Sequence, residues 1–276
     1  MTGVQQHKVR HDGLDFHLIE AGSGRPLFLL HGGGSRAEHF LPLMTRLAAE
    51  FRVIAYDQRG FARTGAAPDQ PVDHAHWASD LTGVMHAMGI GEALVLGWSM
   101  GCSVAINAAA SRPDAVQGLI LVGAPDPAST VDVEALRRRQ AACEGMDEYD
   151  QAKRAASELA LQLSPAARNV AGLLDGLVAD RMATPPALQA RTIAGFATRP
   201  HLAEAASRVR CPARLVTGEL DRITPPTAAR AMALALGAPD PDMIAGSGHY
   251  VGTERPDELA ALIKTKVIEM AVHAAG

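Results

Sequence analysis

A chain of 276 residues that is 47% apolar and 20% charged carries enough apolar material for a large buried core, which excludes disorder as its default state. A formal charge of -4 lacks the basic excess of a nucleic-acid footprint and excludes nucleic acid as an expected partner. Cys102, Cys143 and Cys211 are too few and too scattered for a disulfide framework, no signal-peptide pattern opens the chain, and no apolar run could span a bilayer, so a cytoplasmic location is expected.

In chain order, residues 14–20 alternate as a strand exposed on one face, whereas residues 27–30 are continuously apolar, the pattern of a strand covered on both faces. Residues 52–56, 93–96, 118–122 and 213–216 repeat that pattern with helical stretches between them. Strand and helix in alternation predict an α/β class, a doubly wound and mostly parallel sheet with antiparallel strands leading into it. Residues 126–208 break the alternation, because no β-branched run occurs there and Ala, Leu, Arg and Gln dominate. Pro125-Asp126-Pro127 and Arg210-Cys211-Pro212 punctuate the two ends of this stretch, and Ser164-Pro165 and Thr184-Pro185-Pro186 divide it. The expected organisation is a catalytic core of residues 1–125 and 209–276 with a helical cap of residues 126–208 inserted.

The strongest chemical signal is Gly97-Trp98-Ser99-Met100-Gly101, which follows a short apolar strand and precedes an alanine-rich helical pattern. That context is a nucleophile elbow, a tight strand-to-helix turn that lifts a serine hydroxyl above the sheet. A serine needs a base to take its proton and an acid to orient that base. Asp221 and His249 follow in the order Ser, Asp, His, and are assigned as orienting acid and general base. Glu219 competes with Asp221, whose spacing before Pro225 is the better fit. An oxyanion also needs backbone donors, and His31-Gly32-Gly33-Gly34 follows an apolar strand where such a loop belongs. The amides of Gly33 and Met100 are the expected donors, with Gly34 in reserve.

Other polar positions have plainer readings. His74 and His76 with Asp73 and Asp80 could suggest a metal site, but helix capping explains Asp73 to His76, Asp80 is expected to brace the loop around Asp57, and no metal is expected. Cys102 stands where a helix N-terminus would favour a thiolate, yet a small buried hydrophobe is the expected role. His31 is read as structural. Gly34, Trp98, Met146, Leu177, Met182 and Phe196 are the candidates for a substrate pocket, with packing of the cap onto itself as the alternative for the apolar cap residues and packing into the core below the elbow as the alternative for Trp98.

Together these segments resemble the α/β-hydrolase family over nearly the whole chain. Residues 56–64, Tyr-Asp-Gln-Arg-Gly-Phe-Ala-Arg-Thr, are similar to the family's strand-end segment before the second core helix, with Ala62 where many members carry glycine. The elbow and the short glycine-rich loop most resemble bacterial esterases, lactonases and carbon–carbon hydrolases. The resemblance implies a serine hydrolase that cleaves a small-molecule carboxylic ester or lactone through an acyl-enzyme, and with no nucleotide-binding glycine motif or cofactor-attachment lysine context in the sequence no cofactor is expected. A serine nucleophile disfavours the epoxide hydrolase and haloalkane dehalogenase branches, which attack with a carboxylate. Other readings are cleavage of a diketone-type carbon–carbon bond, with Arg154, Arg168, Arg181 or Arg191 holding a substrate carboxylate, transfer of the acyl group to another alcohol or thiol, and a ligand-binding or cofactor-free oxygenase role.

Overall fold

Successive side chains of a strand point to opposite faces, so a continuously apolar strand demands cover on both sides. Leu27 and Leu29 enter one buried cluster while Phe28 and Leu30 enter another, and Val53 and Ala55 divide from Ile54 and Tyr56 in the same way. A computed structural model, which describes residues 3–129, 132–199 and 201–274, shows the resulting three layers.

The central layer is an eight-stranded sheet in the order β1-β2-β4-β3-β5-β6-β7-β8. Its strands are β1 (Gln5–His11), β2 (Leu14–Ala21), β3 (Arg25–Leu30), β4 (Phe51–Tyr56), β5 (Ala93–Trp98), β6 (Val116–Val122), β7 (Ala213–Gly218) and β8 (Asp242–Ile244). β1 and β2 are antiparallel and β2 joins β4 antiparallel, while β4, β3, β5, β6, β7 and β8 run parallel. This is the mostly parallel α/β sheet that the sequence predicts. Two strands lie outside that reading. β1 is polar and mostly exposed, so it carries no burial pattern, and β8 is only three residues long. The turn before β2 does carry a signal, since Asp12 and Gly13 have φ of 45° and 74°, the left-handed pair of a tight hairpin.

Among the described residues the α-helices are α1 (Leu41–Leu47), α2 (His74–Ala87), α3 (Met100–Ser111), α4 (Val133–Gly145), α5 (Glu148–Gln162), α6 (Pro165–Arg168), α7 (Leu173–Met182), α8 (Pro186–Phe196), α9 (Leu202–Arg208), α10 (Pro226–Leu236), α11 (Val251–Glu254) and α12 (Pro256–Ala274). None of the described helices is long and apolar enough to cross a membrane. α2, α3 and α10 cover one face of the sheet, and α1 and α12 the other.

α4 to α8 interrupt the alternation between β6 and β7, and several begin on a side-chain oxygen that satisfies an otherwise orphaned amide. Asp132 accepts from the Ala135 amide, Asp147 from Asp150 and Ser164 from Ala167. α9 departs from the sequence-based boundary at residue 208. Its Leu202, Ala205 and Ala206 are buried against α3 and α10 in a sheet-side cluster, which places it in the core layer and not in the roof. Beneath the sheet ends, Asp80 pairs with Arg59 at 2.8 and 2.6 Å, both side chains being buried. Asp80 therefore braces the segment after Asp57 through Arg59, while Asp57 itself accepts from the Ala37 and Arg63 amides.

Candidate active site

β5 ends at Trp98, and the chain must reverse into α3 within one residue. Ser99 does this at φ 54° and ψ -116°, a strained left-handed geometry for a residue with a side chain. The turn closes because its flanks are glycines. A Cβ on Gly97 would lie 2.4 Å from the Gly101 carbonyl oxygen, and one on Gly101 would lie 2.2 Å from the Leu30 carbonyl oxygen. Ser99 is anchored by its amide, which donates to the Val122 carbonyl at 3.0 Å. Cys102 is buried just below, its thiol against the Gly97 and Val122 carbonyls, and burial pushes its pKa well up. It packs as a small hydrophobe.

The loop after β8 delivers His249, whose Nε2 lies 3.0 Å from Ser99 Oγ. The loop after β7 delivers Asp221, whose Oδ2 lies 2.8 Å from His249 Nδ1. Glu219 turns the other way and accepts from the Gly246 amide at 2.8 Å. Burial pushes the Asp221 carboxyl up, but hydrogen bonds from His249 and Thr224 outweigh it and hold the group below its ordinary value. Asp221 also accepts from the Ile223 and Thr224 amides and from the Thr224 hydroxyl. Trp98 Nε1 donates to the His249 carbonyl at 2.9 Å, and Glu254 accepts from the Gly248 amide at 3.1 Å, so the histidine loop is fixed from both sides. Thr224 and Glu254 are supporting residues that sequence reasoning missed, and the capping pattern Asp221-x-x-Thr224 was the only local trace of the first.

On the opposite side of Ser99, the loop after β3 brings Gly33 and Gly34 to the cavity. His31 Nε2 accepts from the Gln58 amide at 3.0 Å, so its Nδ1 carries the proton and donates to the Gly32 carbonyl at 2.8 Å. Burial lowers the His31 pKa and keeps this neutral tautomer. Met100 is the first residue of α3, and neither its amide nor that of Gly33 donates to another backbone group among the described residues. Behind the floor, His39 stacks on Trp98 at 4.3 Å, and burial, with His31 and His249 nearby, lowers its pKa to about 3.

The space between Ser99 and α4 to α8 is a cavity of about 600 Å³. Ser99, Met100, His249, Gly33, Gly34, Trp98 and Phe196 all line it. Met146, Leu177 and Met182 do not. Leu177 is buried in the cluster beneath the roof, Met146 ends α4 with its carbonyl bound to Gln151, and Met182 closes α7 away from the cavity. Among the arginine candidates, Arg154 and Arg181 line the cavity, joined by Arg139 and Arg199, which sequence reasoning did not single out. Arg168 instead binds the Leu163 carbonyl, and Arg191 the Ala66 and Gln70 carbonyls. His76 Nδ1 lies 2.7 Å from Asp73, and no cluster of potential metal ligands occurs among the described residues.

Comparison with known proteins agrees with this architecture. A profile of the alpha/beta hydrolase family matches residues 27–262. A 2-(acetamidomethylene)succinate hydrolase from Mesorhizobium japonicum is 31% identical over 126 residues, 46% of this chain and 45% of that protein. A pimeloyl-[acyl-carrier protein] methyl ester esterase from Edwardsiella ictaluri is 38% identical over 109 residues, 40% of each. These matches span less than half the length of the curated relatives. Among solved structures, a thermophilic esterase from Thermogutta terrifontis superposes with a TM-score of 0.84 at 26% identity, covering 96% of this chain and 99% of that one. An enol-lactonase from Burkholderia xenovorans superposes at 0.83 and 20% identity over 96% and 100% of the two chains, a likeness of fold alone.

Proposed function

The chain belongs to the α/β-hydrolase family, and from that premise we propose that it is a serine hydrolase that cleaves a carboxylic ester or lactone of a small molecule through an acyl-enzyme. The observation that carries this reading is the unbroken series Asp221, His249 and Ser99, linked at 2.8 and 3.0 Å and ending on a strained, cavity-facing serine.

In this mechanism His249 Nε2 takes the Ser99 proton as Oγ attacks the carbonyl carbon. Asp221 accepts from Nδ1, fixes the tautomer and stabilises the imidazolium that forms. The amides of Gly33 and Met100 receive the oxyanion, each worth about 3 kcal/mol in the transition state. The imidazolium then protonates the departing alkoxide, water enters, His249 takes its proton, and the resulting attack releases the acid. The helices α4 to α8 act as the cap that shields the acyl-enzyme, and Phe196 and Trp98 supply apolar wall.

The test is a panel of short and medium acyl esters, aliphatic lactones and one diketone, assayed with the natural protein and with Ser99→Ala. Turnover of an ester or lactone that falls at least about a thousandfold in Ser99→Ala, with the fold retained by circular dichroism, is the expected result. Equal turnover by both proteins would overturn the mechanism, and a preference for the diketone would move the assignment to carbon–carbon cleavage.

A further inference from the structure

The roof of the cavity is overcharged. Arg139, Arg154 and Arg181 come from α4, α5 and α7, and all three line the cavity that holds Ser99. They share a single carboxylate, Glu158. Arg139 Nη2 lies 2.7 Å from Glu158 Oε2, Arg181 Nη1 lies 3.3 Å from the same oxygen, and Arg154 Nε stands off at 3.7 Å from Oε1.

The three guanidiniums do not have equal work. Arg181 is fully engaged, with Nε on the Gly34 carbonyl at 3.0 Å and a further hydrogen bond with Tyr250. Arg154, beside its 3.7 Å approach to Glu158, donates from Nη2 to a thiol, Cys143 Sγ, at 2.7 Å. The Nε atoms of Arg139 and Arg154 are both buried without a hydrogen-bond partner among the described residues. A buried donor left unmade on a charged group is costly and is found where something else completes it. The positive charge is also felt at Arg139, where burial and then its two arginine neighbours oppose the charge that Glu158 supports, and the net effect lowers its pKa. The two acidic residues that line the cavity are engaged elsewhere. Asp132, which also lines the cavity, caps α4, and Asp126 accepts from the Ala128 amide beside Arg199.

We infer that the substrate carries a carboxylate at the end remote from its scissile carbonyl, held by Arg139 and Arg154, with Arg181 forming the inner wall of the same subsite. This rests on the serine-hydrolase reading for the position of the scissile bond, but the anion subsite stands on its own contacts. A guanidinium offers two parallel donors to a carboxylate, and two cavity-lining arginines that share one glutamate with a third match that planar group. The cavity volume suits a small acid of this kind.

The test compares methyl hydrogen succinate, glutarate and adipate with methyl butyrate, pentanoate and hexanoate, pairs of equal acyl length that differ in a terminal carboxylate. The expected result is a kcat/KM at least about tenfold higher for a half-ester than for its neutral partner, carried mainly by KM and weakened by salt. In Arg139→Gln/Arg154→Gln that ratio falls to within about threefold of one, and Arg139→Lys/Arg154→Lys, which keep the charge, recover part of it. Direct binding gives a second readout that needs no turnover and no variant. Adipate binds the natural protein by calorimetry, whereas 1,6-hexanediol does not. Faster turnover of the neutral esters at every length, or adipate binding no tighter than the diol, would overturn the subsite. Adipate binding without Ser99-dependent turnover of any ester would leave the subsite standing and sink the serine-hydrolase reading instead.

Discussion

The floor and the roof of the cavity hold their polar groups in opposite ways. On the floor, Ser99, Asp221 and His249 follow the ends of three parallel strands, β5, β7 and β8, with β6 between the first two, and are fixed by backbone amides and carbonyls. On the roof, Arg139, Arg154 and Arg181 project from three separate helices and are held mainly by charge. The floor is held by directional hydrogen bonds to backbone, the roof by ion pairs to one shared glutamate.

The sharpest way to break this contrast is at the floor. Asp221→Asn keeps the shape but favours the wrong histidine tautomer, and kcat should fall by about ten-thousandfold while urea unfolding changes far less. A loss of less than about tenfold would mean that Asp221 does not orient His249. Gly97→Ala tests rigidity in place of chemistry. Its Cβ would lie 2.4 Å from backbone that has nowhere to go, so a destabilisation of about 3 kcal/mol is expected from the urea midpoint.

Acid should also act on the floor. Burial holds His39 neutral with a pKa of about 3, against 6.5 for an ordinary histidine, so below pH 6.5 the unfolded chain binds a proton that the native state refuses. Stability contributed at pH 7 is therefore lost as pH falls from 6.5 towards 3, at about 1.4 kcal/mol per unit for this group. His74, lowered to about 4 by burial and by Arg199, adds a similar slope. Unfolding free energies at pH 7, 6 and 5 should show the decline, and His39→Gln should flatten it by one histidine's share.

The smallest effect sharpens the comparison at the seam between the two regions. Ala62 takes φ 39°, the left-handed region where a glycine would sit unstrained, and its amide donates to Thr184 Oγ1 of the roof at 2.9 Å. Relief of about 1 kcal/mol, offset in part by the freedom glycine gains when unfolded, leaves Ala62→Gly about 0.5 kcal/mol more stable. Differential scanning calorimetry should register a rise of about 1–2 °C.

The same contrast explains what could be read from the chain alone. Floor residues announce themselves because the chemistry sits in short local patterns: an apolar run, a glycine-flanked serine, an acid and a histidine in order. The parallel sheet followed from the same runs, whereas β1 was hidden by its exposure and marked only by the Asp12-Gly13 turn. Roof residues depend on how helices roll against one another. Leu177 and Phe196 look alike as apolar helix positions, yet Leu177 joins the cluster below while Phe196 faces the cavity. Arg139 and Arg191 look alike too, and only packing sends one to the cavity and the other to the Ala66 and Gln70 carbonyls. α9 continues the helical pattern of the roof, and nothing in its composition marks the point where the chain returns to the core.

The glycines of the elbow bear on descent as well as on shape. With the Leu30 carbonyl 2.2 Å from where a Cβ on Gly101 would stand, no other amino acid can be inherited there without rebuilding the turn. A lineage that keeps this turn is therefore bound to glycine at residues 97 and 101, whatever else it exchanges.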